Sequence, residues 1–246
     1  MKKEIDTRRE LIVLPSKEEA VRFSVDHFIE AASRAINQKG LFNVALSGGS
    51  TPKAIFHQFA QPEYRNKVDW AKVQLFWSDE RCVPPTDSDS NYRMAMDAGF
   101  SNLPLLGEHI HRMEGEIDPE KAADKYEALL KKHTHDGELD YVMLGMGDDG
   151  HTASLFPDTE GMKVTDRLAI ANYVPEKKAW RLSLTFPCIN RAGQIVVYVL
   201  GKSKAEIAAR VLQKNETEPF PAQKIGTEEN RSQWVLDQEA ASLVAD

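Results

Sequence analysis

One run of residues constrains the chain more than any other: Tyr141-Val142-Met143-Leu144-Gly145-Met146-Gly147-Asp148-Asp149-Gly150-His151-Thr152-Ala153-Ser154-Leu155-Phe156-Pro157. Tyr141 to Leu144 is continuously apolar and short, the pattern of a buried strand. It breaks into a turn carrying Gly145, Gly147 and Gly150, and glycine admits positive φ and close approach of a ligand to the backbone. A buried strand followed by such a turn belongs to an α/β fold, where ligands bind beyond the carboxyl ends of the strands. Asp149 and His151 are therefore presented where a small substrate would sit. A histidine there is suited to proton transfer near neutral pH. The alternative is an ordinary strand-to-helix loop with two capping aspartates, but that leaves the histidine beside the acids unexplained.

Other segments repeat the plan. Leu11 to Leu14 is an apolar strand closed by Pro15. Ser16 and Glu19 fit a capping box, and Val21, Val25, Phe28, Ala32 and Ala35 then recur at helical spacing up to Gly40. Phe42 to Leu46 is a strand that runs into Ser47-Gly48-Gly49-Ser50-Thr51-Pro52, with Thr51 the expected N-cap and Pro52 at the first helical position. Strand, Gly-Gly loop and helix N-terminus together suit an anion such as phosphate. The loop has neither the Gly-Lys-Ser/Thr of a nucleotide P-loop nor Gly-x-Gly-x-x-Gly, and Leu46-Ser47-Gly48-Gly49 is not a nucleophile elbow. A tight turn with no ligand is the alternative here.

Val73 to Trp77 is a further strand, ending in Ser78-Asp79-Glu80-Arg81. That cluster is either a solvated ion pair or part of a site. Val83 to Tyr92 is a turn-rich loop before a short helix from Arg93 to Ala98. His109 to Met113 is expected as a short strand, with His109 and His111 on one face but no third metal ligand nearby. Asp118-Pro119 opens a helix to about Lys132, and His133 and His135 follow in a polar turn expected to face solvent. Leu168 to Val174 and Arg181 to Phe186 are strands. Gln194 to Leu200 is strongly apolar and β-branched, and is expected to be central in the sheet. It ends at Gly201-Lys202-Ser203-Lys204-Ala205-Glu206, where Ser203 and Glu206 fit a capping box. Lys204 then falls in a helix's first turn, against the dipole, and an anionic ligand would explain it there. A last strand, Gln233 to Leu236, precedes an expected short helix from Asp237 to Val244.

Four polar groups thus sit at strand ends: Ser47 to Thr51, Asp79 to Arg81, Asp149 to His151, and Lys204, with Arg181 able to join them. Arginine and lysine around a Gly-Gly loop describe a phosphate pocket. A histidine flanked by carboxylates describes proton transfer, so the sum is acid–base chemistry on a phosphorylated small molecule. No metal or redox cofactor is called for. The net charge of −7 disfavours a nucleic-acid partner. No segment reaches the ~18 apolar residues of a membrane span. Cys82 and Cys188 fit no disulfide or metal framework, and the N-terminus shows no apolar signal region. The expectation is one cytoplasmic domain over 1–246, monomeric or homodimeric, with a small-molecule partner and no membrane or nucleic acid.

The strand-end motifs resemble those of the glucosamine-6-phosphate isomerase/6-phosphogluconolactonase family. Ser47 to Pro52, Ser78 to Arg81 and Gly145 to Pro157 carry the resemblance, and the His-Thr-Ala-Ser-Leu-Phe-Pro run is its most specific part. Arg181-Leu182-Ser183-Leu184-Thr185, Gly201 to Ala205 and Trp234 to Ala241 extend it over nearly the whole chain. It implies a three-layer α/β/α sandwich with a Rossmann-like, mostly parallel sheet, related to ribose-5-phosphate isomerases. It also implies hydrolysis of 6-phospho-D-glucono-1,5-lactone. His151 would be the general base, with Asp149 and Asp79 as its catalytic company. Ser47, Gly48, Gly49, Ser50, Thr51, Arg81, Arg181 and Lys204 would hold the substrate, and N–H groups of the glycine turn would face the oxyanion. Deaminases of the same family resemble His-Ile-Ala-Phe-Asn-Glu-Pro in this run. Phe156 replaces their glutamate and Arg81 departs after the Asp-Glu pair, and both departures favour the lactonase over an amino-sugar deaminase. A non-catalytic sugar-phosphate-binding protein is the rival from another class. Many members carry glycine after Phe-Pro where this chain has Asp158, which bears on the loop's conformation.

Overall fold

The computed structural model describes residues 2–212 and 219–244. Its strands are β1 (Lys2–Asp6), β2 (Arg9–Leu14), β3 (Phe42–Leu46), β4 (Val73–Trp77), β5 (Asp79–Arg81), β6 (Tyr141–Gly145), β7 (Ala169–Val174), β8 (Ala179–Leu184), β9 (Ile195–Val199) and β10 (Ser232–Asp237). The α-helices are α1 (Lys17–Lys39), α2 (Ser50–Phe59), α3 (Asn91–Ala98), α4 (Pro119–His133), α5 (Phe186–Asn190) and α6 (Ala205–Leu212). A seven-stranded sheet runs β1-β2-β10-β9-β6-β3-β4, and a three-stranded sheet runs β5-β8-β7. Every pairing in the large sheet is parallel except β1 with β2. The expected α/β class with a mostly parallel sheet is what the chain forms, and β9 is central as its composition predicted.

Alternation within each inner strand builds two cores. Val44, Leu75, Met143, Val196 and Val235 point to one face and pack with α1, α2 and α3. Ala45, Phe76, Leu144, Val197 and Leu236 point to the other and pack with α4, α6 and the small sheet. Both faces of a parallel sheet must be covered, because its inner strands are apolar on both sides. The spacing read in α1 places Val21, Val25, Phe28, Ala32 and Ala35 in the first core. Phe28 is fully enclosed, worth roughly 1.5–3 kcal/mol of burial. Ser16 caps this helix by accepting from the Glu19 amide, and Gly40 closes it at φ 84°.

Several local expectations are corrected. β1 was not foreseen; its charged Lys-Lys-Glu-Ile-Asp sequence suits an exposed antiparallel edge. Residues 109–113 form no strand. Ile110 makes one bridge to Leu75, and the His111 amide donates to the Leu75 carbonyl at 2.8 Å, covering the β4 edge. His111 is buried, hydrogen-bonded to Gln74 at 2.7 Å, and stacked against Phe76. Burial, then the nearby His133, His109 and Lys132 charges, push its pKa down to about 4. His133 is the last residue of α4 rather than part of the turn, half-buried with its ring 4.3 Å from that of His111, whereas His135 is exposed as expected. Among the described residues no group of three or more His, Cys, Asp or Glu could hold a metal ion. β8 ends at Leu184, because the Thr185 side chain caps α5 by accepting from Cys188. The segment after β10 is a series of turns, not a helix. There Asp237 spends its carboxylate on the amides of Gly201 and Ala240. Asp158 takes the left-handed conformation at φ 57°, which accounts for a position where glycine is at home. Among the described residues no helix is long and apolar enough to cross a membrane.

Candidate active site

The carboxyl ends of β3, β6 and β9 open on a cleft of ≈ 240 Å³. The Ser47–Thr51 loop forms one wall. Gly145, Met146, Gly147, His151 and Ala153 form another, and Asp79, Arg81, Asn91 and Lys204 close the remaining sides. Segments far apart in the chain meet here because the parallel sheet brings its strand ends to one edge.

α2 begins earlier than expected. Gly49 is its N-cap, at φ 102° and ψ 172°, and no side chain caps the helix; Thr51 lies inside the first turn. That backbone conformation is accessible almost only to glycine. Because no side chain caps the helix, its N-terminal pole faces the cleft without a protein acceptor from a cap, which favours an anion.

The turn after β6 is closed on itself. The Gly147 amide donates to the His151 carbonyl at 2.9 Å, and the Gly150 amide donates to the Gly147 carbonyl at 3.1 Å. These two amides are therefore spent within the turn, against the expectation that they face an oxyanion. Thr152 Oγ1 donates to the Gly145 carbonyl. A Cβ on Gly147 would fall 2.1 Å from the His151 ring, so only glycine leaves room for the imidazole. Ala153 is held at φ 47°, a costly conformation for alanine that is concentrated at functional sites.

Asp149 Oδ1 accepts from His151 Nδ1 at 2.5 Å and from the His151 amide at 3.1 Å. Burial alone would raise the Asp149 pKa. The bonds from the His151 ring and amide, with the ring's charge, outweigh it and hold the carboxyl down at about 2. An ionised carboxylate accepts only, so Nδ1 carries the proton and, in the neutral ring, Nε2 keeps its lone pair. Among the described residues Nε2 has no hydrogen-bond partner. Phe156 stacks on the imidazole at 4.0 Å and fixes its plane. Asp149 does not line the cleft itself; it lies behind the histidine.

Asp79 begins the small sheet rather than a loop. Ser78 makes the transition, its amide donating to the Leu46 carbonyl at 2.7 Å while its own carbonyl accepts from Leu184. Asp79 is buried, accepting from Ser154 Oγ at 2.7 Å and from Asn91 Nδ2 at 3.2 Å. Ser154 is thus tied to a carboxylate, not poised as a nucleophile. Glu80 is no solvated ion-pair member. It is buried and accepts from the amides of Arg81, Asn91 and Tyr92 and from Ser90 Oγ, at 2.7–2.9 Å. Burial raises its pKa against the lowering by those bonds.

Arg81 lines the cleft, and Arg181 stands directly across from it in the β5–β8 pairing. Arg181 is not itself among the lining residues; burial first, then the Arg81 charge, lowers its pKa, with Asp79 opposing. Like charges set opposite each other in a sheet repel. Lys204 reaches the cleft from a short 3₁₀ turn, Lys202–Lys204, capped by Gly201 and running into α6; the expected Ser203 capping box does not form. Its Nζ donates to the Met146 carbonyl at 2.9 Å and to Asp148 at 2.6 Å. The lysine charge thus has acceptors within the protein, so its position does not require an anionic ligand.

Asn91 was missed by sequence reasoning, which left it in a loop and started the helix at Arg93. The signal was Ser90, whose side chain caps α3 by accepting from Arg93. Phe156, read from sequence only as a departure from the deaminases, proves to be the ring against His151. Tyr198 and Leu200 also border the cleft and carried no local signal.

The family profile for glucosamine-6-phosphate isomerases/6-phosphogluconolactonase matches residues 15–234. The 6-phosphogluconolactonase of Chlamydia trachomatis serovar D is 36% identical over 230 residues, covering 94% of this chain and 88% of that one. The crystal structure of 6-phosphogluconolactonase from Thermotoga maritima superposes with a TM-score of 0.81 at 27% identity, covering 94% of this chain and 100% of the other. A monomeric glucosamine-6-phosphate deaminase shares the fold, with a TM-score of 0.79 at 21% identity over 95% and 99% of the two chains. The sequence match across most of the chain and the shared architecture agree with the strand-end site: the chain belongs to the glucosamine-6-phosphate isomerase/6-phosphogluconolactonase family.

Proposed function

We propose that the protein hydrolyses 6-phospho-D-glucono-1,5-lactone to 6-phospho-D-gluconate, in the oxidative pentose phosphate pathway, as a single domain acting in the cytoplasm. The observation that carries the reading is the Asp149–His151 pair, with an unpartnered Nε2 at a cleft that an uncapped helix N-terminus also faces. His151 Nε2 takes a proton from water as the water attacks the C1 carbonyl. Asp149 holds the ring in that tautomer and stabilises the imidazolium that forms. The tetrahedral intermediate collapses with loss of the ring oxygen, and His151 returns the proton to it. General base catalysis of this kind contributes roughly 10²–10⁴-fold.

The Ser47–Thr51 loop, Arg81, Arg181 and Lys204 bind the phosphate and ring, with the Arg81–Arg181 repulsion relieved by an anion. Asp79 serves by ordering Asn91 at the cleft wall, with buried Ser154 bracing its carboxylate from behind. The deaminase alternative is disfavoured by Phe156, an apolar ring stacked on the histidine where those enzymes carry a glutamate.

The test is hydrolysis of freshly generated lactone measured against its spontaneous background, with and without a chelator. Fast turnover insensitive to chelator is expected. No acceleration, with binding of 6-phosphogluconate retained, would leave a sugar-phosphate-binding protein; ammonia release from glucosamine 6-phosphate would establish the deaminase.

A further inference from the structure

Asn91 is 3% exposed, yet it lines the cleft. Its Nδ2 donates to both the Asp79 carbonyl (3.0 Å) and the Asp79 carboxylate (3.2 Å). Two acceptors on that side determine which end of the amide is nitrogen, so the outward atom is the oxygen. Oδ1 lies against Gly48, where a Cβ would approach it to 2.1 Å, and Gly48 borders the same cleft. Among the described residues Oδ1 accepts no hydrogen bond. The backbone beneath it is fixed as well, since the Asn91 amide donates to Glu80 at 2.7 Å and Glu80 also grips Ser90 and Tyr92. The outcome is a rigidly held acceptor at the cleft, with no donor to it among the described residues. It stands in a cleft whose other polar groups are mainly donors: the α2 N-terminus, Arg81 and Lys204.

We infer that Asn91 is a specificity-determining residue, its amide oxygen accepting a hydrogen bond from a ring hydroxyl of the substrate while Asp79 and Glu80 hold the amide in that orientation. This rests on placing the lactone in this cleft. The donors around Asn91 serve the phosphate and the carbonyl, which are acceptors only. A sugar hydroxyl is the part of the ligand that must donate, and a fixed acceptor discriminates strongly against an analogue lacking that donor. Glu80 and Asp79 are positioning residues in this scheme.

The experiment measures kcat/KM for the parent lactone and for its 2-, 3- and 4-deoxy counterparts, each generated in place by oxidation of the corresponding sugar phosphate. Wild type should lose about tenfold on one deoxy lactone through loss of this hydrogen bond. Asn91→Ala should lose about tenfold on the parent and on the other two, and nothing on that one compound. Asn91→Ser, which keeps a small polar side chain at the start of α3, replaces it if the alanine variant does not fold. Wild type that treats the three deoxy lactones alike overturns the assignment, as does a variant that loses equally on all four compounds. Either result with parent turnover intact leaves the hydrolase reading standing, whereas no parent turnover by wild type overturns both.

Discussion

Two glycine-rich strand ends face each other across the cleft, and they are built on opposite principles. The loop after β3 stays open: Gly49 launches α2 without a side-chain cap, so the helix pole is left to a ligand. The turn after β6 is closed: Gly147 and Gly150 donate within the turn, and Asp149 grips both the backbone and the ring of His151. Similar composition thus yields a helix pole open to the cleft in one place and a rigid mount for an imidazole in the other. Glycine serves in the first for its dihedral angles and in the second for the space that a missing Cβ leaves.

The sharpest way to break the comparison is His151→Ala. Turnover should fall by roughly 10²–10⁴-fold, while calorimetric binding of 6-phosphogluconate stays nearly unchanged. Wild-type-like turnover would remove His151 from the mechanism. Gly147→Ala comes next. Its Cβ would sit 2.1 Å from the imidazole, and displacing a reacting group by about 1 Å costs on the order of 10²-fold. The loss should appear in kcat, with substrate affinity kept; an unchanged kcat would show that the turn yields easily.

Gly49→Ala tests the open side. No atom lies closer than 4.0 Å to the added Cβ, so the penalty is conformational, about 1–3 kcal/mol. It should raise KM and lower the melting temperature with little change in kcat, the reverse of Gly147→Ala. Equal effects of the two variants on kcat and KM would erase the distinction between open pole and rigid mount.

The smallest effect is on acid stability. Asp149 is lowered from 3.8 to about 2 in the fold, so between these values the unfolded chain binds more protons. The stabilisation is complete above pH about 4 and is lost as pH falls to about 2. Melting curves of Asp149→Asn should lack that part of the acid slope. His111 contributes in a separate window. Its pKa is lowered to about 4 from 6.5, so stability is lost as pH falls between these values, and a phenylalanine there should flatten that segment.

Much of the layout was legible because local patterns carry it. β3 and β4 lie where they were expected, β6 runs one residue further to Gly145, and α1 and α4 start at their capping residues, Ser16 and Asp118. The family resemblance supplied the site's cast. The misplacements have two causes, a local start signal passed over or outweighed by its neighbour, and a distant partner that decides. Thr51 is a good N-cap in isolation, but the glycine conformation before it starts α2 sooner. Residues 109–113 alternate like a strand, yet they lie along β4 through a single bridge. The helix of Asn91 is announced locally by the Ser90 cap; what the sequence could not show is that Glu80, on β5, grips its backbone amide.

By itself the sequence determined the parallel α/β frame, since apolar runs buried on both faces admit little else, and it put His151 beside acids at a strand end; that Asp149 and not Asp148 holds the ring is a finding of the structure. Only the tertiary structure decided that Asp79 holds Asn91 and Ser154, that Arg81 confronts Arg181, and that Lys204 rests on Met146 and Asp148. Those contacts join residues from different strands and helices. Hydrophobic periodicity fixes which face of an element is buried but carries no information about which polar group it will meet at the sheet's edge.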